Sequence, residues 1–179
     1  KKEWIKRYEK IDQIKNIKYI TQSWDTAISK KENSDYSVCT TFAKSESEFY
    51  LIDVIRKRLQ YPDLKKQIIE NAKKWNADFI LIENKSSGQT LIQDLKNCTT
   101  LPIIAINPVI SKLDRLYKII SFIESGKLYL PNNSFWLQQF ESEFFLFPDC
   151  KNDDQVDSVT QYLIYEKHKN YKQANIRGL

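Results

Sequence analysis

Phe79-Ile80-Leu81-Ile82, four large apolar residues in a row followed at once by Glu83, is the stretch that most narrows what this chain can become. A run this short and apolar reads as a strand buried on both faces, which belongs in the parallel part of a sheet. Glu83 then emerges at the carboxyl end of that strand, the edge where open α/β sheets bind ligands. A plainer reading stands beside this one, because a strand must end somewhere and a solvated acid ends it well.

The chain ahead of this run is β in character. Tyr19–Asp25, 36–43 and 49–55 are rich in β-branched and aromatic residues and are separated by polar breaks, which predicts an antiparallel meander. Lys44-Ser45-Glu46-Ser47-Glu48 supplies a hairpin turn, although without the Asn-Gly pair. Pro62 opens a helix with Leu64, Ile68, Ile69 and Ala72 on one face, ending near Trp75-Asn76. After the strand at 79–82 come a helix from about 87 to 96, a strand Ile103–Ile106 and a helix Lys112–Glu124. A short strand at 128–130 stopped by Pro131, then helices around 135–143 and 154–166, complete the order. The expected class is α/β. A mixed five-stranded sheet, three antiparallel strands and then parallel βα units, is flanked by helices in the order of a ribonuclease-H-like fold.

Composition bounds the function. A length of 179 residues, 41% hydrophobic, suits one domain with a sizeable core. The formal charge of +5 is compatible with a polyanionic partner, but an ordinary solvated surface would look the same. Cys39, Cys98 and Cys150 are odd in number and far apart, which argues against a disulfide framework or a zinc site and fits a reducing cytoplasm. Every apolar run is too short to span a bilayer and the N-terminus has no hydrophobic signal region, so no membrane partner is expected. With three Gly there is no glycine-rich phosphate loop. No Met occurs, even at position 1, so the expectation is a piece of a longer protein with the missing part upstream. On that view residues 1–17 are a linker, a short helix or the tail of a preceding domain, 18–170 the domain itself, and 171–179 a C-terminal tail.

Three acidic stretches remain to be explained: Ser23-Trp24-Asp25-Thr26, Leu81-Ile82-Glu83-Asn84 and Asn152-Asp153-Asp154-Gln155-Val156-Asp157. Asp25 ends the first strand, where an Asp is commonly a turn former. The third stretch begins a helix, and acids there cap it and complement its dipole, worth about 0.3–1 kcal/mol each. Asp153 is the natural cap. Asp154 and Asp157 are three apart and share a face, while Val156, Val159 and Leu163 mark another that can pack on the sheet. Two like charges on one face repel unless something positive sits between them. Carboxylates drawn from distant points, with one His and no paired Cys, suit hard divalent cations bound through oxygen. His168, between Lys167 and Lys169, reads as a surface residue.

Taken in order, Trp24-Asp25-Thr26-Ala27, Ser34-Asp35-Tyr36-Ser37-Val38, Ile82-Glu83-Asn84-Lys85-Ser86-Ser87-Gly88, Lys112-Leu113-Asp114-Arg115, Phe147-Pro148 and Asp153-Asp154-Gln155-Val156-Asp157-Ser158 resemble the nuclease domain of tailed-bacteriophage terminase large subunits. The likeness runs from about Ile20 to Tyr165. It rests on order and spacing, since no single motif is specific. That domain belongs to the ribonuclease-H-like superfamily, in agreement with the order of elements above. It follows an ATPase motor domain, which would account for the missing Met.

The resemblance implies a DNA endonuclease that cuts concatemeric double-stranded phage or prophage DNA during packaging in the bacterial host cytoplasm. Asp25 would be the first-strand acid bridging two Mg²⁺ or Mn²⁺ ions, Glu83 the second acid, and Asp154 with Asp157 the closing helical acids. Asp35, Asp153 and Lys85 would stand in the outer shell. Two ions about 3.5–4 Å apart would activate water and stabilise the departing 3′ oxygen, so no protein nucleophile is needed. The family more often places Asp before the Lys of the fourth motif, which leaves the role of Asp114 open. Lys30, Lys31, Arg56, Lys57, Arg58, Lys112 and Arg115 are candidates for phosphate-backbone contact, although the Arg56-Lys57-Arg58 run also reads as a solvated strand edge. A terminase small subunit and a portal are implied as partners. The alternatives are a RuvC-like junction resolvase or transposase-type nuclease on the same fold, and a non-catalytic prophage remnant that docks on a packaging partner.

Overall fold

The computed structural model describes residues 2–27, 36–85, 87–107 and 111–177, without the side chains of Ser87, Lys112 and residues 170–177. Among these residues seven strands form one sheet: β1 (Lys6–Tyr8), β2 (Tyr19–Asp25), β3 (Ser37–Lys44), β4 (Phe49–Lys57), β5 (Phe79–Glu83), β6 (Ile103–Ile106) and β7 (Leu128–Pro131). Their order is β1-β7-β4-β3-β2-β5-β6. Only β3 runs against the rest, so the carboxyl ends of the other six share one edge.

The helices are α1 (Tyr61–Trp75), α2 (Ser87–Cys98), α3 (Lys112–Glu124), α4 (Leu137–Leu146) and α5 (Asp154–Arg177). Side-chain alternation along the strands sorts them into two layers. Trp24, Cys39, Ile80 and Ile82 pack with Leu64 and Ile68 of α1 and Leu91 and Leu95 of α2. The opposite parity, Phe42, Leu51, Val54 and Leu81, packs with Ile119 of α3, Phe140 of α4 and Val159, Tyr162 and Leu163 of α5. Pro sits in the first turn of α1, and Asn76, at φ 48°, ends the helix in the left-handed conformation that short polar residues tolerate. Ser111 caps α3, its Oγ accepting from the Asp114 N–H at 3.2 Å and donating to Asp114 Oδ2 at 2.6 Å. Asp114 thus has a capping role. Among the described residues no helix is long and apolar enough to cross a membrane.

Three expectations need correction. The sheet has seven strands where five were expected: β7 extends it beyond β4, and β1 pairs with β7. The three residues of β1, two of them basic, carry no alternation that would announce a strand, though such residues suit an exposed edge. The stretch expected to be a short helix or tail therefore contains sheet. Second, α5 continues to Arg177 rather than stopping near 166, since no Gly or Pro interrupts the chain before Gly178. Third, residues 155–163 of α5 are buried throughout and not on one face alone, because the sheet, α3 and α4 all pack against it.

Candidate active site

β2 and β5 are parallel neighbours, with Trp24 opposite Ile82. Asp25 and Glu83 each lie one residue further on, so they stand side by side at the carboxyl edge, about 5 Å apart along the hydrogen-bonding direction. Both alternate away from Trp24 and Ile82, which face α1 and α2. Their side chains therefore project toward the layer of α5. The apolar residues ahead of them lock this register, since a slip of one residue would bury both carboxylates in the wrong layer.

The start of α5 is tied to this edge by a buried polar network. Ser23 Oγ donates to the Ser158 carbonyl at 2.7 Å, and Ser158 Oγ donates to the Ser23 carbonyl at the same distance. Thr40 on β3 joins through its hydroxyl, 2.7 Å from Ser158 Oγ. Gln161 Nε2 donates to Ser23 Oγ at 2.9 Å and to the Trp24 carbonyl at 3.2 Å. The first turns of α5, with Asp154 and Asp157, are thereby held beside the end of β2. The Asp153 carbonyl accepts the first helical bond, from the Asp157 N–H at 2.9 Å, which makes Asp153 the cap residue.

Glu143 of α4 serves the same helix end from outside. Its carboxylate accepts from the backbone N–H of Gln155 at 2.6 Å, from Gln155 Nε2 at 2.7 Å and from the Val156 N–H at 3.4 Å. Burial pushes the Glu143 carboxyl up from the ordinary range, opposed by these hydrogen bonds and by Arg56. Glu143 therefore meets part of the demand for negative charge at the helix start, which weakens the view of Asp154 and Asp157 as mere caps.

Two of the acids have basic neighbours. Lys85 Nζ lies 3.0 Å from Glu83 Oε1, with the lysine side chain 64% exposed and the Glu83 side chain 14% exposed. Arg115 of α3 donates to Asp157 Oδ1 at 2.9 Å, and both side chains are buried. The first pair reaches solvent, whereas the second is buried. Among the described residues no three His, Cys, Asp or Glu side chains stand close enough together to hold a metal ion as they lie. In donor chemistry the edge nonetheless suits a hard divalent cation: carboxylates and hydroxyls converge on it, with Cys39 buried in the opposite layer and His168 exposed well along α5.

The basic candidates divide. Arg115 is committed to Asp157 and offers nothing to a surface phosphate. Arg56 stands opposite Val38, which stands opposite Asp25, so the three make one row across the sheet. Its guanidinium lies 3.5 Å from the Tyr36 ring centre and 3.9 Å from Glu143, and only 7% of its side chain is exposed. Arg58, stacked on the same ring at 4.4 Å, and Lys57, bonded to Gln67, remain at the surface. Asp35, Lys30 and Lys31 lie outside the described residues, as does the side chain of Lys112.

Reading the sequence for site residues missed Glu143 and the Ser23, Thr40, Ser158 and Gln161 network. A usable signal existed for Glu143, an acid three residues after Phe140 and next to Phe144 on an otherwise apolar face. Ser158 and Gln161 carried none, because polar residues on a helix ordinarily mark its solvent side.

A mixed sheet with neighbouring acids on its parallel strands and a third acidic element on the helix laid across them defines a ribonuclease-H-like α/β domain. The chain belongs to the terminase RNaseH-like domain family, whose model matches residues 22–166. Solved structures share the fold. The large terminase nuclease of thermophilic phage G20c with bound cobalt is 13% identical, with 89% of this chain and 90% of that one aligned at a TM-score of 0.66. The human cytomegalovirus terminase nuclease domain is 12% identical over 89% and 88% of the two chains, at a TM-score of 0.60. The large terminase of another thermophilic bacteriophage is 10% identical over 89% of this chain at a TM-score of 0.62, and the match spans 41% of that protein's length. At such identities the likeness speaks for the fold alone. No curated protein sequence matches the chain significantly.

Proposed function

We propose that this chain is the divalent-metal-dependent endonuclease domain of a phage or prophage terminase large subunit, which cuts concatemeric double-stranded DNA during genome packaging in the bacterial cytoplasm. The observation that carries the reading is the meeting of Asp25 and Glu83 on one face of one edge, with the start of α5 bonded to Ser23 beside them. Related phage nucleases have been solved with zinc, cobalt and magnesium bound, and a manganese-soaked viral one is known, which supports divalent metal at such a site.

Asp25, Glu83, Asp154 and Asp157 would hold Mg²⁺ or Mn²⁺, with Asp153 and Asp35 behind them. A pair of such ions supplies an activated water and a Lewis acid for the leaving 3′ oxygen when bound. The chain's own residues then do the rest. Asp157 has the Arg115 guanidinium beside its buried carboxylate as the opposing charge. Lys85, exposed and next to Glu83, is free to turn toward a scissile phosphate. Arg58, braced by Tyr36 near the same edge, and Lys57 approach the DNA backbone. The motor domain would lie in the same full-length protein, as the longer thermophilic-bacteriophage large terminase solved with ADP suggests, with small subunit and portal as further partners.

Incubation of supercoiled plasmid with the chain in Mn²⁺, Mg²⁺ or EDTA tests this. Nicking and linearisation that require metal and disappear in Asp25→Ala are expected. Cleavage that survives EDTA would overturn the reading, and a strong preference for four-way junctions would move it to a resolvase.

A further inference from the structure

We propose that Gly88 is a positioning residue for Glu83: the lack of a side chain there lets α2 close onto the end of β5 and sets where the Glu83 carboxylate stands. This rests on the reading of Glu83 as a metal ligand. Gly88 is buried in the first turn of α2, and its N–H donates to the Lys85 carbonyl at 2.8 Å. A Cβ at this position would fall inside the contact radius of the Glu83 carbonyl oxygen, 3.3 Å from the Glu83 carbonyl carbon and 3.5 Å from Thr26 Oγ1. Thr26 directly follows Asp25, so this one glycine borders both strand ends that carry the acids.

Neither side has room to yield. Glu83 is paired with Ile106, and the next N–H, of Asn84, donates to the Ile106 carbonyl at 2.7 Å. The helix is fixed by Leu91, Ile92 and Leu95, all buried in the layer beneath. An added methyl must therefore displace the Glu83 backbone or the helix that closes over it. Gly126 makes the contrast. It lies in the turn before β7, at the opposite edge, with φ +64°, and its nearest would-be neighbours are side-chain atoms of Lys6, starting at 3.0 Å. Backbone conformation demands a glycine at 126, whereas space beside an acid demands it at 88.

The test compares Mn²⁺ affinity by calorimetry, plasmid cleavage, and duplex binding in Ca²⁺ for the wild-type chain, Gly88→Ala and Gly126→Ala. Gly88→Ala should weaken Mn²⁺ binding and kcat at least tenfold while DNA affinity stays within twofold, and Gly126→Ala should lower the melting temperature with Mn²⁺ affinity unchanged. Wild-type behaviour of Gly88→Ala, or an equal Mn²⁺ loss in Gly126→Ala, would overturn the proposal. Should Gly88→Ala fail to fold, Glu83→Asp draws the carboxylate back by one methylene without touching α2. It should show the same Mn²⁺ loss, and wild-type affinity in Glu83→Asp would sink the idea. A wild-type chain that binds no Mn²⁺ fails the nuclease reading itself, a result visible before any substitution.

Discussion

α5 carries charge to the two ends of β2, which treat it in opposite ways. At its start, Asp154 and Asp157 lie beside the carboxyl end of β2, where Glu83 and Lys85 reach solvent. Twelve residues later, about 18 Å along the helix, Glu166 meets the amino end of β2 and is fully buried. There the Tyr19 hydroxyl donates to Glu166 Oε2 at 2.8 Å, and Lys169 is boxed between the rings of Tyr19 and Phe79 at 3.7 and 4.1 Å. Burial pushes the Glu166 carboxyl up, against the pull of Tyr19, Lys169 and Lys44, and pushes the Lys169 ammonium down. One end is a closed structural lock. The other is an open edge where Lys85 stands exposed beside Glu83, which suits the proposed site.

The largest effect should come from the open end. Asp25→Ala is expected to lower cleavage by about a thousandfold or more, far beyond any change in the thermal melt, because the proposal makes this carboxylate a metal ligand. An equal loss of stability and activity would erase the contrast between the two ends. Next in size is Arg115→Ala, which removes the buried cation paired with Asp157 and should cost about 3–5 kcal/mol in urea unfolding, with part recovered in the double variant Arg115→Ala/Asp157→Asn. Recovery would place the pair, rather than either residue alone, at the root of the loss.

These two expectations show what could be read from the chain and what could not. Asp25 and Glu83 were legible because each ends a stretch that reads as a strand, β-branched and aromatic ahead of Asp25 and wholly apolar ahead of Glu83, and the strand order then places both at one edge. The boundaries of β2, β6 and α3 were legible for the same reason. Arg115 was not: a basic residue in a helix reads as solvated, and only tertiary packing of α3 on α5 reveals that it answers Asp157. The brief β1, with two charged residues in three, was hidden by its length. Glu166 was hidden by its neighbours, since a Glu beside Lys167 and His168 gives no hint of full burial.

The closed end yields a smaller, pH-dependent effect. Because Glu166 holds its proton more tightly in the folded chain than in the unfolded one, its contribution is complete below the ordinary carboxylate range and is lost as pH rises through its raised value. Unfolding free energies across that window should therefore fall less with pH in Glu166→Gln than in the wild type. The remaining fall would come partly from Glu143, which has the same sign. An unchanged slope would mean that Glu166 is not the group that resists ionisation. Smallest is Arg58→Ala, removing about one phosphate contact: the slope of log K against log salt should drop by about one, with cleavage of bound DNA retained. Arg56 should act differently, through stability, given its place between Tyr36 and Glu143.

Mn²⁺ titration of the wild-type chain, Asp25→Asn and Glu166→Gln tests the difference between the two ends most directly. Binding that is lost in Asp25→Asn and kept in Glu166→Gln is the result expected of a metal centre at the open edge. Equal affinity in all three, or a loss confined to Glu166→Gln, would contradict it.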